Sequence, residues 1–144
     1  MRAVPAFPTD TLTVIAWPDD VIDRVGLDAR SRYVETFWLG VLGPSTTWLL
    51  RHLVDELEAQ PDGFTLDLFE TANRLGLGMK GGRHSPFVRA LGRLVQFEMA
   101  QLQGSDVLAV RRRIPALSRR HIIRLSEPMQ RAHGEWQKRQ LTTT

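Results

Sequence analysis

Arg89, Arg93 and Gln96 stand at i, i+4 and i+7 within the segment SPFVRALGRLVQFEMAQLQGSDVLAVRRR, residues 85–113. On a helix this spacing puts all three on one face. Arg bonds bidentately to guanine O6 and N7, and Gln to adenine N6 and N7, so such a face suits the major groove of DNA. Lys80, Arg83 and His84 precede it on a glycine-rich stretch and suit contacts to the phosphate backbone. Ser85, with the first helical N–H groups, suits a phosphate at the positive end of the helix dipole. Arg111 and Arg113 suit the minor groove or a flanking phosphate. The plainer alternative for Arg89, Arg93 and Gln96 is an ordinary solvated helix face. For the Arg111–Arg113 run the alternative is an inward-facing member, and Arg112, which shares its side with Leu108 and Val110, is expected to reach an acidic partner in the first half.

These residues need a helix and a hairpin to hold them. Ser85 is a suitable N-cap and Pro86 fits the first helical position, where its missing N–H has no partner to lose. Phe87, Leu91, Leu94 and Val95 form an apolar stripe opposite the polar residues, so a helix is predicted over 85–97. Met99–Gln103 and Val107–Arg113 flank the turn Gly104-Ser105-Asp106 and predict a hairpin within 99–113, closed by Pro115. Upstream, Pro44 or Ser45 opens a helix to about Ala59, with Trp48, Leu50, Leu53, Val54 and Leu57 as its expected core positions. Phe64–Leu66 is a very short strand. Asp67, with Glu70 three residues on, caps a helix whose apolar face is Leu68, Phe69, Ala72 and Leu75. Thr11–Trp17 reads as a strand, Asp19 or Asp20 as the cap of a short helix to about Val25, and Ser31–Leu39 as a helix. Residues 1–9 are proline-rich and expected to be irregular. Ser118–Leu125 and Pro128–Gln140 are expected helices burying Ile122, Ile123, Leu125, Met129, Ala132 and Trp136.

The order from 44 to 113 resembles the winged helix-turn-helix DNA-binding domain. TLDLFETANRLGL resembles its supporting helix, and SPFVRALGRLVQFEMAQL its recognition helix leading into the wing. That resemblance implies one domain over 1–144, with a winged-helix core at 44–113 and flanking helical elements at 1–43 and 114–144. The fold class is then mainly α with a small β-hairpin (α+β). The connection Gly76–His84 is nine residues, against the 3–4 of a usual helix-turn-helix turn. FWLGVLGPSTTWLLRHL, GRHSPFVRALGRLVQF and LAVRRRIPALSRRH are also similar to a group of uncharacterised bacterial proteins, which implies no activity.

The net charge of +3 conceals an asymmetry. Residues 1–79 carry six Arg against twelve Asp/Glu, a net of −6, whereas residues 80–144 carry eleven Arg and two Lys against four Asp/Glu, a net of +9. A basic half points to a polyanionic partner, or else to pairing with the acidic half. The chain has no cysteine, which excludes disulfides and thiolate metal sites. Its hydrophobic content of 42% and charged content of 24% are those of a globular protein. No apolar run approaches a membrane span, and MRAVPAFPTD has no apolar core of a secretory signal, so the expected location is the cytoplasm.

Gly76-Leu77-Gly78-Met79-Lys80-Gly81 matches G-x-G-x-x-G, but a predicted helix precedes it where the dinucleotide fingerprint needs a strand. His52, His84, His121 and His133 show no metal-ligand spacing. No catalytic residue, metal or cofactor is expected. The sequence therefore predicts a DNA-binding transcriptional regulator whose partners are double-stranded DNA and a second copy of the chain, with no membrane or metal partner. About 6 phosphate contacts would give a log-affinity against log-salt slope near −5. The alternative is a winged-helix protein–protein interaction module without sequence-specific DNA binding.

Overall fold

A computed structural model describes residues 10–142; the proline-rich 1–9 segment lies outside the described residues. The chain enters on β1 (Thr11–Ala16), whose alternation buries Leu12 and Val14 and exposes Thr11 and Thr13. Asp19 caps α1 (Asp20–Val25), its carboxylate accepting from Val21 and Ile22 N–H at 3.1 and 3.0 Å. After β2 (Leu27–Asp28), a π-helical turn Val34–Trp38 runs into α2 (Leu39–Leu42). Gly43, at φ 87°, breaks that helix, and Pro44 starts α3 (Pro44–Ala59) at once. Then follow β3 (Phe64–Asp67), α4 (Leu68–Arg74), a 3-10 turn Gly82–His84, α5 (Pro86–Gln96), β4 (Ala100–Gln103) and β5 (Val107–Val110). The chain ends with β6 (Arg113–Ile114), α6 (Arg119–Ile122) and α7 (Glu127–Thr142).

The class is α+β, as expected, but the strand content exceeds a small hairpin. Four strands form one mixed sheet in the order β3-β1-β5-β4, and β2 pairs with β6 in a second, two-stranded sheet. β1 lies between β3 and the hairpin, antiparallel to β3 (Val14↔Phe64) and parallel to β5 (Val14↔Leu108). Residues 10–43 are thus more than a helical flank: beside their helices they supply a central strand. The physical reason is legible in TLTVIA, whose β-branched, alternating pattern fits a half-buried pleat.

One hydrophobic cluster joins these layers, drawing on Leu12 and Val14 of β1, Leu49, Leu50 and Leu53 of α3, Phe87, Leu91 and Leu94 of α5, and Leu108 of β5. Several expected core positions are corrected. Trp48 is 59% exposed and Phe69 54% exposed, while Leu49, Thr46 and Thr47 take the buried side of α3. Trp48 instead lies against the exposed edge beside Arg51, whose guanidinium sits 5.3 Å from its ring centre. Ile123 and Ala132 are exposed, and the one fully buried position on α7 is His133. Among the described residues, no helix is long and apolar enough to cross a membrane.

Candidate nucleic-acid interface

α5 begins as its sequence dictates. The Ser85 hydroxyl accepts from Val88 N–H at 3.2 Å, and Pro86 occupies the first turn. Ser85 is fully buried, so its oxygen is used in the cap and is not available to a phosphate. Six of the eleven residues of α5 are buried: Phe87, Val88, Ala90, Leu91, Gly92 and Leu94. What remains at the surface is a narrow strip containing the three predicted polar residues, Arg89, Arg93 and Gln96.

The three differ in their freedom. Arg89 and Gln96 have no side-chain partner among the described residues. Arg93 is held: its Nε donates to Leu42 O at 2.9 Å and its Nη2 to Val41 O at 2.8 Å. Those carbonyls end α2 and have no helical partner of their own, so the guanidinium acts as a C-terminal cap. Its carbon also lies 5.5 Å from the Phe97 ring centre.

The loop before α5 keeps Lys80, Arg83 and His84 exposed and unpartnered among the described residues. Gly81 and Gly82 have φ of 103° and 57°, a backbone that glycine adopts without the Cβ clash of other residues. The glycine run follows α4 and leads into the 3-10 turn, which is not the strand–loop–helix setting of a dinucleotide loop.

The arginine row after the hairpin is arranged differently from expectation. Arg112, expected inward, is exposed. Arg111 makes the acidic contact: its Nη1 lies 3.1 Å from Asp19 Oδ2, its Nε donates to Glu98 O at 2.7 Å, and its guanidinium stacks 3.8 Å above Trp17. β5 ends at Val110 after three consecutive buried residues, so the in–out alternation that would turn Arg112 inward does not hold there. The Asp19 carboxyl is held below its ordinary value, first by the Ile22 N–H bond and then by Arg111. Arg113 donates from Nε and Nη2 to Gly26 O at 3.1 and 2.7 Å, closing the end of α1. Arg111 and Arg113 are therefore structural braces between the segment after β5 and the N-terminal segment.

The acidic half satisfies much of its charge internally. Arg30 faces Asp28, Asp55 and Glu58, at 2.9, 3.1 and 3.8 Å. Arg51 pairs with Glu35 at 3.0 Å. Among the described residues one ion pair joins the two halves, Arg111 with Asp19. The basic half is consequently left largely uncompensated.

Sequence reasoning missed the contribution of the segment after β6. Arg120 on α6 and Arg124 in the turn that follows it are exposed and four residues apart, and His121 sits beside them. Burial, then Arg120 and Arg124, depress the His121 pKa below its ordinary value. The signal was present as RRHIIR, with basic residues four apart. No group of three or more His, Asp or Glu among the described residues is placed to hold a metal ion.

Compared with protein-family models, curated proteins and solved structures, the chain matches none.

Proposed function

We propose that the chain binds double-stranded DNA as a winged-helix transcriptional regulator, laying the exposed strip of α5 in the major groove. Three features support the reading. The order α3–β3–α4–α5–β4–β5, with β3 and the β4–β5 hairpin in one sheet, resembles the winged-helix order with β1 inserted. The hairpin tip, Gln103–Asp106, is exposed as a wing tip must be. The basic half is largely uncompensated by the acidic half, with Arg111–Asp19 the one ion pair between them among the described residues. The observation that carries the reading is the unpartnered strip itself: Lys80, Arg83 and His84 on the loop, followed by Arg89 and Gln96 on the helix.

This set is narrower than the sequence suggests. Arg93, Arg111 and Arg113 are tied by intramolecular bonds to Val41 and Leu42, to Glu98 and Asp19, and to Gly26, so they lie outside the freely presented set. Of the three free cations on the strip, Lys80 and Arg83 face the backbone and Arg89 reads a base, so two phosphate contacts give a log-affinity against log-salt slope of about −2. The test is fluorescence anisotropy with random duplex and with selected sites between about 50 and 200 mM salt. Arg89→Ala is expected to cost about 1–3 kcal/mol on a selected site and to relax preference at one base pair, whereas Arg83→Ala weakens all sequences alike. No association at low salt refutes the proposal.

A protein-docking module is favoured by one observation, the exposed Trp48 and Phe69 on α3 and α4. Exposed large aromatics are enriched in protein interfaces. Persistent failure to bind duplex DNA, with Trp48→Ala altering capture of a protein partner, would select it.

A further inference from the structure

Behind the C-terminal end of α5 lies a cleft of about 980 Å³, lined by residues from α2, α5, the β4 entry and the 115–125 segment. Its rim carries four guanidinium groups, Arg93, Arg111, Arg120 and Arg124, against two carboxylates, Asp19 and Glu98. Asp19 is already bound to Arg111. His121 on the same wall is pushed toward its neutral form by burial and by Arg120 and Arg124. The lining also includes apolar residues, Ile22, Val41, Phe97, Met99 and Leu125 among them.

The arginines have donors to spare. A guanidinium offers five N–H donors, of which Arg93 spends two on the α2 carbonyls and Arg111 two on Glu98 O and Asp19. Arg120 and Arg124 spend none among the described residues. Arg93 and Arg111 are held in place by those bonds, so their part of the positive wall is fixed before any ligand arrives.

A second feature marks the same place. α5 ends in a Schellman arrangement, with Met99 N–H bonded to Leu94 O at 2.9 Å and Glu98 N–H to Val95 O at 3.1 Å. The residue in the left-handed position is Glu98, at φ 61°, where glycine is usual. Glu98 is the sole non-glycine residue with positive φ among the described residues. Its carbonyl is the acceptor that fixes Arg111 over Trp17. Strain of this kind gathers at binding sites.

We infer that this cleft binds a small organic phosphate of about mononucleotide size, its phosphate held by Arg120 and Arg124 with Arg93 and Arg111, and its body resting on Phe97. Arg forks match phosphate geometry bidentately, and a cleft of this volume is that of small-molecule sites. The inference goes beyond DNA binding and does not rest on it.

The experiment titrates the full chain, without DNA, with AMP, phenyl phosphate, inorganic phosphate and adenosine, by calorimetry and by tryptophan fluorescence. The expected result is saturable 1:1 binding of AMP or phenyl phosphate, tighter than inorganic phosphate, with adenosine silent. Arg120→Ala and Arg124→Ala each weaken it about tenfold or more, the loss of one charge-assisted bond. Neither side chain has an intramolecular partner among the described residues, so both variants keep the fold, and circular dichroism checks this. Arg83→Ala, on the loop before α5, leaves the titration unchanged. Absence of saturable binding, equal affinity for all phosphates, or indifference to Arg120 and Arg124 overturns the inference.

Discussion

Arg89 and Arg93 are one helical turn apart and both surface-exposed, yet they should behave oppositely on substitution. Arg93→Ala removes two charge-assisted bonds to the Val41 and Leu42 carbonyls. Such bonds contribute about 1.5–3 kcal/mol each when buried, and water access to this exposed side chain lowers the pair to about 1–2 kcal/mol. The guanidinium's contact with Phe97 adds about 0.5 kcal/mol. The expected destabilisation is therefore about 2 kcal/mol, or a Tm lower by roughly 4–8 °C for a chain of this size. Arg89→Ala breaks no bond among the described residues and should stay within about 0.5 kcal/mol. Urea unfolding with an unchanged m-value, alongside calorimetry, reads both. Arg93→Lys falls between, because a single ammonium cannot fork to two carbonyls as a planar guanidinium does. Equal stability of the two alanine variants would refute the assignment of Arg93 to the end of α2.

The C-terminal helix offers two further tests. The Tyr33 hydroxyl accepts from Leu117 N–H at 2.8 Å and shares a second hydrogen bond with His133 Nε2 at 2.7 Å. Tyr33→Phe leaves both groups unpaired in the interior and should cost about 2–4 kcal/mol, lowering Tm by roughly 5–15 °C, measured by thermal melting; a neutral variant contradicts this bond. His133 is 1% exposed, and burial lowers its pKa from the ordinary 6.5. The folded state then binds fewer protons than the unfolded chain, so stability is full above about pH 6.5 and declines as pH falls through the window down to the folded pKa. His121, shifted the same way, adds to the decline. Melts from pH 8 to 5 should show it, and NMR of the imidazoles should place both titrations below 6.5; a Tm flat across that range sinks the argument.

What was legible in the sequence was local. The caps at Asp19, Asp67 and Ser85 and the start of α3 at Pro44 each depend on residues within one turn, and each forms as read. The polar strip of α5 was legible because its apolar stripe is unambiguous. Trp48 was misplaced because its bulk suggested a core role, whereas its period places it with Arg51 and Asp55 on the outer face. Phe69 fails for the same reason, since its neighbours Leu68, Thr71 and Ala72 take the buried side. The capping box at Asp67 is half formed: its carboxylate accepts from Glu70 N–H, but Glu70 turns to Arg74, at 3.2 Å. Arg111 could not have been read, because Asp19 is 92 residues upstream and reaches it only through the parallel pairing of β1 with β5. Pairings at that separation are topological and leave no local trace in the sequence.

The strip and the cleft draw on the same helix, and its anchoring explains why both can be precise. Six buried residues fix the inner side of α5, and Arg93 fixes its outer side to the end of α2. α2 continues the π-helical turn whose Phe37 and neighbouring Tyr33 pack edge-on to His133 of α7, with ring centres 4.8 and 5.5 Å away. α5 therefore cannot roll about its axis without disturbing a run of contacts that reaches the C-terminal helix. A helix so held presents Arg89 and Gln96 at a set angle before any partner arrives, which reduces the ordering cost of recognition. The same anchor keeps the Arg93 guanidinium on the cleft wall. Loss of that anchor should loosen both surfaces together, whereas substitutions at Arg89 or at Arg124 should each affect one and spare the other.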